Sequence, residues 1–100
     1  QYFGFVFNNS GTEEKYRMCL YNLDGKLTLE KNFDMEYESI KIVNNEIILF
    51  NETECIIYNT KGVEKFHKVF DMGILNIIPK GGFQKYIIIN SSNIEEIKLK

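Results

Sequence analysis

The sequence has little of several features that would point to a function. One proline, a net charge of −2 and 44% hydrophobic residues exclude a disordered chain, which would be highly charged and poor in apolar residues. No apolar run approaches the roughly 18 residues that a membrane-spanning helix needs, and no signal peptide is recognisable. Lysine and glutamate are interspersed and form no basic stripe, so nucleic acid is not an expected partner.

Metal ligands and nucleophile–base pairs are equally scarce. His67 is the only histidine, and neither Cys19 nor Cys55 lies in a CxxC motif, so we predict no metal site and no cofactor. A cysteine nucleophile would need a histidine partner and a third orienting group, whereas a surface position for His67, pointing away from Phe66, is the simpler interpretation. The two cysteines could form one disulfide, but we expect free, half-buried thiols.

Neighbouring carboxylates are candidates for glycosidase chemistry, which uses two acidic groups across a bond. The pairs Glu13–Glu14 and Glu95–Glu96 are adjacent in the chain, so on a strand their side chains point to opposite faces. Glu36 and Glu38 could share a face, but a solvated edge that discourages aggregation is the favoured interpretation. We therefore assign no catalytic residue, and we expect the protein not to be an enzyme.

The strongest pattern in the sequence is an internal repeat. Tyr21–Met35 matches Tyr58–Met72 at a fixed offset of 37 residues, with seven of fifteen positions identical. Unrelated segments of that length share about one identity, and repeats of this kind decide the architecture. Both copies carry Tyr-Asn-x-x-Gly followed by Phe-Asp-Met. A period of this length with four short strands is typical of a propeller blade.

Aromatic and β-branched runs between turn signals predict strands, and no window has the spacing of an amphipathic helix. Asp24–Gly25 and Asn44–Asn45 suit tight hairpin turns. The nearly continuous apolar run Glu46–Phe50 predicts a strand that is covered on both faces. The predicted strands span residues 2–8, 16–21, 27–33, 39–43, 46–50, 54–58, 63–70, 74–78, 83–89 and 94–99.

We therefore predict a single all-β domain over residues 1–100, built of antiparallel four-stranded repeats as a fragment of a β-propeller. Its blade parts span about 1–35, 36–71 and 72–100, or roughly two and a half blades, because the first lacks its first strand and the third its last. Such a fragment exposes two apolar faces and unpaired edges. We expect self-association, or packing against remaining blades of a longer parent protein.

Other recurrent residues have structural interpretations. Asp34 and Asp71 end the two repeats, where we expect each side chain to accept hydrogen bonds from local backbone N–H groups. Turn geometry explains the glycosylation sequons at Asn8, Asn51 and Asn90 without glycosylation. An aromatic group near the start could be a ligand platform, but packing between blades is the expected role. Its members are Tyr2, Phe3, Phe5, Phe7, Tyr16 and Tyr21.

With its Tyr-Asn-x-x-Gly and Phe-Asp-Met cycles and its closing segment Ile94–Lys100, the whole chain resembles the C-terminal part of an uncharacterised Firmicutes family, a domain of unknown function. The resemblance implies a short cytoplasmic N-terminus, one membrane-spanning helix upstream of Gln1 and an extracytoplasmic propeller-like β domain. No functional residues are implied. Contact with the membrane is then expected only through that upstream helix.

Repeat architecture without a catalytic constellation favours a non-enzymatic, extracytoplasmic recognition or scaffolding module for a protein, glycan or wall component. Two alternatives stay open. One is a propeller enzyme acting on glycans, whose active site lies in other blades. The other is a sensor domain of a membrane-anchored protein.

Overall fold

A computed structural model describes residues 2–9, 13–43, 45–71, 73–80 and 85–99. Within these ranges the chain forms ten strands and no helix, so nothing there is a helix able to cross a membrane. The strands are β1 (Tyr2–Asn8), β2 (Tyr16–Asn22), β3 (Leu27–Phe33), β4 (Ser39–Val43), β5 (Glu46–Phe50), β6 (Glu54–Asn59), β7 (Glu64–Val69), β8 (Ile74–Pro79), β9 (Lys85–Asn90) and β10 (Ile94–Lys98).

The strands form three antiparallel sheets, each from one continuous segment of the chain. The first sheet has the order β1-β2-β3, the middle sheet β4-β5-β6-β7 and the third sheet β8-β9-β10. Every pair of neighbouring strands is also consecutive in sequence, as antiparallel pairing allows. The prediction of an all-β fold with antiparallel sheets of three or four strands is confirmed.

The middle sheet is covered on both faces. All five residues of β5 are buried, as its continuous apolar run predicts. Ile47 and Leu49 pack in one cluster with Leu20 of the first sheet. Ile48 points the other way and packs in a second cluster with Ile88 of the third sheet. The core therefore consists of two apolar layers, one on each side of the middle sheet.

The two copies of the repeat fold alike. Gly25 and Gly62 both have positive φ, +80° and +83°, and each backbone N–H donates to the carbonyl three residues before it. The side-chain oxygens of Asn22 and Asn59 each accept two backbone N–H groups of the same turn. A β-bulge follows each turn, since the register shifts at Leu20/Tyr21 and at Ile57/Tyr58. The asparagine and glycine that the two turns share thus produce the same local geometry.

Two of the three sequons lie in equivalent turns, as predicted. The side-chain oxygen of Asn51 accepts the N–H groups of Thr53 and Glu54, and that of Asn90 accepts those of Ser92 and Asn93. Asparagine is favoured at this position because its side chain closes the turn. For the third sequon the structure describes Asn8 in β1, but Ser10 lies outside the described residues. Asn44 of the predicted Asn44–Asn45 turn and the predicted turn around residues 81–82 also lie outside them.

Alanine at the two positive-φ glycines tests the packing of the second hairpin against the first sheet. Both Gly25→Ala and Gly62→Ala should destabilise the protein, because a left-handed conformation costs an L-residue about 1–2 kcal/mol. A methyl group at Gly25 would meet no described atom within 4 Å, whereas at Gly62 it would lie 3.0 Å from Leu29 Cδ1. Urea denaturation should therefore show the larger loss of unfolding free energy for Gly62→Ala. Equal losses would contradict the contact with β3.

Candidate functional site

The outer face of the first sheet carries a row of exposed aromatic rings. Because side chains alternate along a strand, β1 points Phe3, Phe5 and Phe7 away from the middle sheet, and they are 54%, 53% and 43% exposed. Tyr21 of β2 lies opposite Phe3, and its ring meets that of Phe5 edge to face, with centroids 5.9 Å apart. We call Phe3, Phe5, Phe7 and Tyr21 the aromatic face.

The expectation that the early aromatic residues pack between sheets is wrong for the three phenylalanines. Tyr2 and Tyr16, on the opposite face of the same sheet, do pack against the core, and Tyr16 stacks on Phe33 at 5.3 Å. Strand periodicity separates the two sets onto two faces. Only one of those faces is covered by another described sheet.

The aromatic face is a shallow apolar surface with a charged margin. Its depression, of about 380 Å³, is lined by the aromatic face together with Leu23, Asn22 and Gly25 of the first hairpin. The Arg17 guanidinium lies 5.3 Å from the centre of the Phe7 ring and 3.6 Å from the Glu30 carboxylate. This arrangement can bind a flat apolar surface and offers one ion pair at the margin.

A second candidate site is the groove between the edge strands β3 and β7, with a volume of about 460 Å³. His67 Nε2 lies 2.5 Å from the Glu54 carboxylate, and its Nδ1 lies 3.7 Å from that of Glu64. His67 therefore lies at the surface, as predicted, and its imidazole is close to the carboxylates of both Glu54 and Glu64. Across the parts of the chain that the structure describes, no three histidine, cysteine or acidic side chains are arranged to hold a metal ion.

Three of the carboxylates singled out in the sequence are paired with separate lysines. The Glu36 carboxylate accepts hydrogen bonds from Lys15 Nζ at 2.5 Å and from the Tyr16 hydroxyl at 2.9 Å. These hydrogen bonds lower the pKa of Glu36, and the bond from Lys15 has the larger effect. Glu96 is held by Lys80 at 2.5 Å and Glu95 by Lys68 at 3.4 Å. Glu14 lines the groove between β3 and β7. Glu36 and Glu38 do line one depression, of about 430 Å³, together with Tyr37, Asn51, Glu52 and Thr53. The Glu36 carboxylate is already paired there with Lys15, so the depression carries no assigned catalytic pair.

The two repeated aspartates behave differently. The Asp34 carboxylate accepts the backbone N–H of Lys15 at 3.3 Å, so it does bind backbone, but in the neighbouring β2 segment and not in its own turn. Asp71 makes no such bond within the described part of the chain. The prediction of a local backbone contact is therefore wrong for Asp34. For Asp71 it stays a prediction, because the neighbouring Met72 lies outside the described residues.

Both cysteines are free thiols, as predicted, but they are buried and not half-buried. Cys55 lies on β6 between the middle and third sheets, and burial raises the pKa of its thiol to about 12. Such a thiol is protonated at neutral pH and does not act as a nucleophile. Cys55 is therefore a small apolar core residue.

The chain belongs to a family of unknown function, DUF5711. The family model matches residues 1–99. No curated protein and no solved structure matches the chain. The predicted resemblance to a domain of unknown function is thus confirmed, and DUF5711 membership extends over both candidate sites.

One polar pair in this DUF5711 chain escaped the sequence analysis. Glu46 opens the apolar run of β5 and is buried, and the hydroxyl of Tyr86 on β9 donates to its carboxylate at 2.5 Å. Burial, followed by this hydrogen bond, raises the pKa of Tyr86 well above its usual range. The pair joins the middle and third sheets and is closed to substrate, so its role is structural. A polar residue at the start of a buried strand was the only available signal.

Removing the Tyr86 hydroxyl should show how much free energy it costs to bury the Glu46 carboxylate without a hydrogen-bond donor. Tyr86→Phe should lower the free energy of unfolding by about 1–3 kcal/mol, because Glu46 loses its donor inside the core. Glu46→Gln should cost less, since an amide oxygen still accepts the hydroxyl.

The same pair predicts a dependence on alkaline pH. Above about pH 10 tyrosine ionises in the unfolded chain, while folded Tyr86 keeps its proton, so the wild-type protein loses stability as the pH rises. Tyr86→Phe lacks this contribution, and chemical denaturation should show the gap between the two proteins narrowing above pH 10. A gap that widens would contradict the raised pKa.

Proposed function

We propose that this chain is part of a β-propeller that serves as a non-enzymatic recognition or scaffolding module, and that it docks protein on its aromatic face. One observation carries the proposal. Phe5 pairs with Cys19 and Leu49 pairs with Ile56, so Phe5 and Leu49 occupy equivalent positions in the repeat. Leu49 is 0% exposed beneath the first sheet, whereas Phe5 is 53% exposed.

The cost of leaving this face open supports a docking role. Burying one large apolar side chain contributes about 1.5–3 kcal/mol. Single exposed apolar residues are ordinary, but a contiguous row of three phenylalanines beside Tyr21 is typical of an interaction surface. The three phenylalanines are each about half exposed, so a partner that covers the row would bury the equivalent of between one and two whole side chains.

The chemistry of the face favours protein over glycan and binding over catalysis. A glycan would bring hydroxyl groups that lose water and need hydrogen-bond partners, and the rings supply few. Arg17 and Glu30, the charged residues of the margin, already neutralise each other. An apolar sheet or loop of a protein suits this surface better.

The proposal includes a location. The family resemblance implies the outer side of a bacterial cell membrane, with an anchoring helix upstream of Gln1. A docking module in that position would hold an extracytoplasmic partner close to the membrane.

Photocrosslinking at the aromatic face tests the docking role. Phe5 replaced by p-benzoylphenylalanine, in the protein expressed in the bacterium that encodes it, should form a covalent adduct with a protein on irradiation. Val69, which is 66% exposed on the edge strand β7, is the matched control position. Equal adduct yields at positions 5 and 69, or an adduct with glycan only, would contradict the proposal.

Thiol labelling tests the location. Both native cysteines are buried, so an engineered Lys26→Cys in the exposed first hairpin adds a single accessible thiol. A membrane-impermeant maleimide should label this variant in intact cells as fully as in lysed cells, with the wild-type protein as the unlabelled control. Labelling only after lysis would refute an extracytoplasmic position.

A further inference from the structure

We propose that the partner docked on the aromatic face is the third sheet of a second copy of this chain, bound head to tail. The inference rests on the proposed function and names its partner. The surface of the third sheet that points away from the middle sheet carries four isoleucines, which we call the isoleucine face: Ile78, Ile87, Ile89 and Ile94.

Strand alternation creates the isoleucine face. On β9, Tyr86 and Ile88 are buried against the middle sheet, so Ile87 and Ile89 point the other way. The register places Ile78 beside Ile87 and Ile94 beside Ile89, and Ile94 is 68% exposed. Together they form an apolar surface that no described part of the chain covers.

The chain already contains two sheet-to-sheet contacts of one kind. The first sheet packs on the middle sheet through the face that carries Leu20 and Phe33. The middle sheet packs on the third through the face that carries Ile57 and Phe70, which lie 37 residues further on. We call the face that covers the next sheet the leading face, and the face that is covered by the preceding sheet the trailing face.

The aromatic face and the isoleucine face correspond to the two sides of such a sheet-to-sheet contact, and no described part of the chain covers either of them. The aromatic face is a trailing face, because Phe5 is equivalent to buried Leu49. The isoleucine face is a leading face: Ile89 and Ile94 flank the turn at Asn90 as Phe50 and Cys55 flank the equivalent turn at Asn51. A leading face of one copy therefore fits a trailing face of another, as in the two contacts inside the chain.

A head-to-tail contact made in both directions closes two copies into a ring. Such heterologous contacts form rings when the rotation closes. Two copies supply six stacked sheets, a number within the four to eight blades of closed propellers. Closure would cover both apolar faces of each copy.

Sedimentation velocity of paired variants tests the proposal on the purified 100-residue chain. The wild-type chain should sediment as a dimer. Phe5→Glu on the aromatic face and Ile94→Glu on the isoleucine face should each raise the dissociation constant at least about tenfold, because each places a charge in the contact. Val69→Glu, at a position that is also more than half exposed but lies off both faces, should behave as the wild-type chain. Both substituted positions are exposed, so the variants should fold, and urea denaturation is the control that checks this.

Mixing the two variants gives the decisive result. The isoleucine face of the Phe5→Glu chain and the aromatic face of the Ile94→Glu chain are both intact, so the mixture should form a one-to-one dimer through a single contact. A dimer of Ile94→Glu alone, no recovery on mixing, or a wild-type monomer at about 100 μM would overturn the head-to-tail contact. If the crosslink at position 5 joins a different protein, docking on the aromatic face stands and the second copy is excluded as its partner.

Discussion

Coverage of the middle sheet on both faces is the constraint on which the rest of the structure depends. The strand Glu46–Phe50 is buried from end to end, so a sheet must lie on each side of it. That requirement arranges three sheets in a stack, and the first and third sheets each use one face to meet it. Their other faces are left outside the core, which is why the exposed aromatic and isoleucine residues gather there.

Polar contacts between the middle and third sheets add specificity to this apolar stacking. The Tyr86 hydroxyl binds the buried Glu46 carboxylate, and the Lys41 ammonium binds the Asn76 side chain at 2.6 Å and the Ile77 carbonyl at 2.8 Å. Apolar faces tolerate sliding, whereas buried hydrogen bonds do not, since a shift would leave polar groups unpaired. These bonds therefore select one alignment of the two sheets.

Charged and apolar side chains are distributed differently over the surface of the molecule. Charged side chains are paired with one another in the groove between β3 and β7 and along the sheet edges, where they keep the edges solvated. The large uncompensated feature is apolar surface. That apolar surface is the basis of the proposed docking role.

Local features of the fold were predictable because local sequence causes them. The 37-residue repeat, the ten strands and the Asn- and Gly-based turns depend on strand periodicity and on turn chemistry within a few residues. The continuous apolar run of β5 likewise predicted a strand that is covered on both faces of its sheet. Strand periodicity also placed His67 on the surface, since that side chain alternates with Phe66.

Burial and long-range pairing could be decided only by the tertiary structure. Whether Phe5 is buried depends on which sheet lies against it. From the repeat alone, Phe5 would be expected to be buried like its counterpart Leu49. In the sequence, Glu46 is a polar residue at the start of an apolar run. Only the stacking of the sheets brings the Tyr86 hydroxyl, 40 residues away in the chain, to its carboxylate. Periodicity assigns a side chain to a face of its own strand. What lies opposite that face is set by the packing of whole sheets, which is a property of residues far apart in the chain.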